Sequence, residues 1–187
     1  MTASVISPAL HAALAHPIDS YGLPGGEGRA AIAQVGATPD ELAAVGNDPS
    51  CPAIERLAAF EGWVGLVGEN ALGAVDDATA TAMASAQVEA IRGADEGDPW
   101  SMPSDVTSSH VSRHLIVLGR RVLPVVKPLL DDTRELPYSG GEGAAIASLR
   151  KYRVCDLAAA IIATITGVPY DNAKDPAKRD KQIAALK

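Results

Sequence analysis

Two histidines four residues apart, His110 and His114, are the pair in this chain whose type and spacing best suit chemistry. On a helix an i, i+4 separation turns both imidazoles to one side, as two ligands of one metal ion require. The run His110-Val111-Ser112-Arg113-His114 lacks the glutamate that a zinc protease carries beside its first histidine. A third ligand would have to come from elsewhere, from Asp105 or His11 for example, and the spacing dictates neither. The same helical wheel sets both rings inside an apolar arc, between Val106 with Val117 and Val111 with Leu115 and Leu118. The expectation is core or interface histidines, hydrogen-bonded to backbone or hydroxyl groups. A small metal-dependent hydrolase built on His110 and His114 is the alternative.

Other reactive groups have plainer readings. No Gly-x-Ser-x-Gly elbow is present, and neither Cys51 nor Cys155 has an adjacent base. Cys155 opens an apolar helix whose dipole could lower its pKa, but burial beside Val154 and Leu157 would leave the thiol inert. Arg153 and Asp156, three apart at that helix entry, are expected to pair. Gly25-Gly26-Glu27-Gly28 and Gly140-Gly141-Glu142-Gly143 each precede an Ala-Ala-Ile-Ala run. Glycine amides at a helix start can hold an anion, but a phosphate loop's Lys-Ser/Thr ending is missing and the glutamates would repel one. Tight turns that feed two helices are the better reading. Trp63 falls in a glycine-rich helix and is expected in the core. Trp100 and Met102 lie between Pro99 and Pro103, where they can anchor an interface or fold back over the core.

The elements that must position these groups are helical. Alanine is abundant, aromatics are only 4%, and alternating β-branched runs are absent apart from a short piece near 116–118, so the class is all-α. A first short helix is expected over 8–15, followed by a turn-rich stretch. Thr38-Pro39-Asp40-Glu41 carries a capping box with proline at the first helical position, and Gly46 is a plausible stop. A helix then opens near Pro52. Its glycines, Gly62, Gly65, Gly68 and Gly73, suit an element that another helix approaches closely. Asp76 or Asp77 caps a run to Arg92. Residues 94–103 are a possible sub-boundary within what is otherwise one domain over 1–187. Further helices are expected from Ser104-Asp105 to Leu118, over 122–131, over 155–166 and from Asp175-Pro176. In the 122–131 helix Val122, Leu123, Val125, Val126, Leu129 and Leu130 share one arc, leaving Pro124 and Pro128 toward solvent. The 157–165 stretch is apolar nearly all round and should be buried.

Charge and composition exclude several classes of function. The sum 16 − 23 = −7 argues against a nucleic-acid face, which needs concentrated Lys and Arg. No apolar run approaches the roughly 20 residues a bilayer span requires. Two cysteines make no disulfide framework, and residues 1–15 have no basic residue ahead of their apolar stretch, so a mature cytoplasmic chain without cofactor is expected.

The run Leu118-Gly119, Val122, Pro124, Val126, Leu130 and Asp132 resembles the turn and second helix of a HEAT-like repeat. Tyr152-Arg153-Val154-Cys155-Asp156, Gly167 and Arg179-Asp180 resemble the C-terminal end of some bacterial HEAT-repeat-containing proteins. The likeness covers roughly 105–187. It implies a short stack of antiparallel helix pairs, as against an irregular helical bundle, with a surface that binds another protein and no chemistry. The expected function is a non-catalytic protein-binding module with an acidic surface, such as an immunity protein or an assembly adaptor. Its partner would carry a basic patch.

Overall fold

The computed structural model describes residues 7–15, 26–95, 97, 100–139 and 141–187. Of the expected turn-rich stretch over 16–28, residues 16–25 lie outside the described residues, as do Glu96, Asp98, Pro99 and Gly140, whereas 26–28 open a helix instead. Among those described the fold is all-α, and the one β pairing is an isolated bridge between Glu135 and Arg153. No helix is long and apolar enough to cross a membrane among them.

Local signals set most helix boundaries. Helix α1 (Pro8–Leu14) is capped by the Ser7 hydroxyl, and α2 (Gly26–Gln34) begins inside the first glycine run. In α3 (Pro39–Asn47), Glu41 Oε2 accepts from the Thr38 amide at 2.9 Å while the Thr38 hydroxyl accepts from Glu41 N. Helix α4 (Ala53–Val67) stops at Gly68, and α5 (Asp77–Gly93) starts where Asp76 accepts from Thr79 N at 2.7 Å. Helix α6 (His110–Leu118) ends at Gly119, whose φ of 72° favours glycine. The short α7 (Leu123–Val126) lies between 3-10 turns at Gly119–Val122 and Lys127–Asp131. Helix α8 (Gly141–Arg150) begins in the second glycine run. Helix α9 (Val154–Thr166) closes at the left-handed Gly167, and Asp175 caps α10 (Pro176–Leu186).

The apolar surfaces meet in two clusters. Leu10, Ala13 and Leu14 of α1, Ile32 of α2, and Leu42 and Val45 of α3 pack on Ala58 and Ala59 of α4. The larger cluster joins the other side of α4, through Leu57, Phe60 and Val64, to α5, α6 and the segments after them. Helix α9 is its centre: every residue from Val154 to Ala163 is buried, as expected of a helix apolar on all sides. This cluster holds residues from both sides of 94–103, where Gly97 N donates to Pro137 O at 2.8 Å. A β-carbon on Gly97 would lie 2.5 Å from the Tyr138 ring, so Gly97 is packed down on the body of the protein.

Several expectations need correction. Residues 116–118 are helical, not a strand, and the helix they end starts at His110 instead of Ser104-Asp105. The Ser- and Thr-rich run before it spends its hydroxyls on turns, with Ser108 Oγ donating to Asp105 O at 2.9 Å. The 122–131 helix is broken into short turns. Proline cannot donate at Pro124 or Pro128, yet both prolines are exposed and Val122, Val126, Leu129 and Leu130 are buried as the wheel requires. The described residues give no evidence of a HEAT-like repeat. Of the glycines expected to be closely approached, only Gly62 has neighbours among the described residues, Ile32 and Leu42 at 3.5 Å from a β-carbon built there; the tighter approach is at Gly46 of α3, where a β-carbon would sit 2.6 Å from the Phe60 ring.

Arginines tie these pieces together by donating to main-chain carbonyls. Arg134 reaches Ile91, Arg92 and Ala94 at the end of α5, at 2.8 to 3.2 Å. Arg121 binds Leu72, Val75 and Leu118. Arg179 of α10, fully buried, donates to Ala173, Lys174, Arg150 and Lys151. Its Nε also donates to Asp156 Oδ1 at 2.9 Å, and Arg153 bridges Asp156 at 3.0 Å and Asp180 at 2.7 Å. Burial alone would raise the Asp156 carboxyl, but hydrogen bonds from Arg153 and Arg179 outweigh it and hold it below the ordinary carboxylate range.

Candidate functional site

Helix α4 is apolar around its middle, Leu57-Ala58-Ala59-Phe60 and Trp63-Val64, and Glu61 interrupts that run at 1% exposure. A carboxylate there requires a partner. Helix α6 supplies one: His114 Nδ1 lies 2.9 Å from Glu61 Oε1, with the imidazole itself 2% exposed. The other oxygen, Oε2, is buried without a hydrogen-bond partner among the described residues. Burial pushes the Glu61 carboxyl above its ordinary range despite the counteracting hydrogen bond from His114.

One helical turn earlier, His110 is half-buried with its ring centroid 5.9 Å from that of His114. Arg113 Nη2 approaches His110 Nδ1 at 2.6 Å, while Arg113 Nε donates to Glu69 Oε1 at 2.8 Å. A guanidinium can only donate, so His110 Nδ1 accepts and the ring's proton resides on Nε2. Burial, and then the positive Arg113, lower the His110 pKa. The two histidines therefore do share a helix face, but each commits Nδ1 to a protein partner, one of them a cation. Among the described residues no group of three or more His, Cys, Asp or Glu side chains is disposed to hold a metal ion.

A cavity of about 550 Å³ lies between α2 and α4. Ile32, Ala33 and Ala37 form one wall; Gly62, Gly65 and Leu66 form the other, with Glu61 in that wall and Arg29 also part of the lining. A second cavity of about 450 Å³ lies between Pro103–Thr107 and the C-terminal end of α9.

Trp100 is 3% exposed, so its indole is a lid over the core and not an anchor offered to a partner. The corner that buries it is held by several bonds. Ser112 Oγ donates to Trp100 O, Ser109 N to Ser101 Oγ at 2.9 Å, and Tyr138 OH to Ser101 O at 2.9 Å. Met102 is half-buried against the same cluster. Cys51 and Cys155 are buried free thiols, and burial, with Asp156 beside it, pushes Cys155 up to about 11. Gly26-Glu27-Gly28 and Gly141-Glu142-Gly143 form the first turns of α2 and α8. Glu61 escaped sequence reasoning; the available signal was a lone acid inside an apolar helical run.

Buried charge is balanced among the described residues, Arg56 and Arg179 against Glu61 and Asp156, while the side chains of Asp77 and Asp131 are 88% and 76% exposed. No family model, no curated protein and no solved structure matches this chain.

Proposed function

We propose that this chain is a non-catalytic protein-binding module whose acidic exterior docks a partner through a basic patch, as an immunity protein or assembly adaptor does. The observation that carries the reading is the disposition of charge. Among the described residues the buried charges offset one another, Arg56 and Arg179 against Glu61 and Asp156, so the excess of 23 acidic over 16 basic residues falls on the outward face. Exposed carboxylates of this kind steer a cationic surface into encounter, and added salt screens them. Placement in the cytoplasm belongs to the same reading and rests on the two unpaired thiols.

The test is affinity capture from cells of the source organism at low and high salt, followed by association kinetics with the captured protein. A partner of basic pI is expected, with an association rate at least tenfold slower at high salt. A variant carrying Asp40→Lys, Asp77→Lys and Asp131→Lys should slow association at low salt while leaving the circular dichroism unchanged. An acidic partner, or kinetics indifferent to both salt and charge reversal, would refute the reading.

A further inference from the structure

We propose that the cavity between α2 and α4 binds a small primary amine, with its ammonium group hydrogen-bonded to Glu61 and its apolar body against Ile32, Ala33, Ala37 and Leu66. Two observations converge there. At about 550 Å³ the cavity falls within the range that small ligands occupy, and its walls are mostly apolar with few polar groups. One of those polar groups is Glu61, at 1% exposure, which has spent Oε1 on His114 and has no partner for Oε2 among the described residues. A buried acceptor left without a donor is costly, and a ligand that brings N–H donors relieves it.

Gly65 leaves the α4 wall of the cavity open: the residue is exposed, and a β-carbon built there meets no atom of the described residues within 4 Å.

The chemistry selects the ligand. A bound ammonium favours the ionised form of Glu61 that burial alone disfavours, and an ionised carboxylate accepts only, so it takes an ammonium in preference to an anion.

Titration of the full chain with hexylamine, hexanol and hexanoate, followed by amide NMR shifts and by calorimetry, tests this. Hexylamine is expected to shift the amides of Ile32, Gly62 and Gly65 and to bind at least tenfold more tightly than hexanol. Gly65→Leu should weaken hexylamine binding tenfold or more with helix content retained, and Glu61→Gln should erase the preference for amine over alcohol. No binding, equal affinity for amine and alcohol, a preference for hexanoate, or hexylamine binding untouched by Gly65→Leu would each overturn the proposal. Should Glu61→Gln fail to fold, the ligand series and Gly65→Leu decide it alone. The site is independent of the docking surface and stands or falls without it.

Discussion

Replacing Arg179 with methionine gives the sharpest test of how the C-terminal helices are held. The substitution keeps an unbranched apolar stem and deletes a guanidinium that is fully buried. It removes a 2.9 Å charge-assisted bond to Asp156, worth about 1.5–3 kcal/mol. It also strips donors from the carbonyls of Arg150, Lys151, Ala173 and Lys174. If two of these stay dry at about 1 kcal/mol each, the total is about 3.5–5 kcal/mol, in line with breaking a buried ion pair. For a chain of this length, 4 kcal/mol lowers the Tm by about 8–16 °C. Urea unfolding followed by circular dichroism measures the loss directly. Asp156→Asn, which strands Arg179 and Arg153, should be comparably damaging, and the double variant should fall short of the sum by about 2 kcal/mol. Asp180→Asn is the control: that carboxylate is 55% exposed, so its loss costs about 1 kcal/mol at most. A loss below about 1 kcal/mol in Arg179→Met, or strict additivity in the double variant, would refute the reasoning.

Two further outcomes are expected. The Asp156 carboxyl titrates lower in the folded chain than in the unfolded one, where the value is about 3.9. Its contribution is therefore complete above that value and is lost as pH falls through the depressed folded one; acid unfolding curves should show this slope, and Asp156→Asn should flatten it. The two helical glycines should respond to alanine with opposite sign. Gly46→Ala meets the Phe60 ring at 2.6 Å and should destabilise by about 1–3 kcal/mol, whereas Gly65→Ala meets nothing and should stabilise by up to about 1 kcal/mol, both read from urea midpoints.

Features encoded within a few residues were legible in the sequence. The Thr38–Glu41 capping box and the caps Asp76 and Asp175 follow from side chains bonding to their own neighbouring backbone, and the stops at Gly119 and Gly167 from glycine's tolerance of positive φ. The burial of α9 was legible for the same reason, since an all-round apolar surface leaves no side for water. Competition among local signals blurred the rest. From Ser104 to Ser109 five residues can cap a helix, and the anchoring of Ser112 on the Trp100 carbonyl favours a start at Ser109. The pairing of Glu61 with His114 spans 53 residues, and nothing in the local pattern of either helix names the other. Arg153 and Asp156 were readable as neighbours, whereas their exchange with Arg179 and Asp180 depends on how α10 folds back across α9.

The arginine clips bear on how the molecule comes apart. The final turn of a helix is ordinarily the first to fray, because its last carbonyls bond only to water. Here Arg134 holds three carbonyls around the end of α5 from 40 to 43 residues downstream, and Arg121 reaches back from beyond α6 to Leu72 and Val75. Opening either junction strands a guanidinium and several oxygens together, so these ends belong to the cooperative unit. Slow-exchanging amides should therefore extend into segments that helix length alone would leave loose.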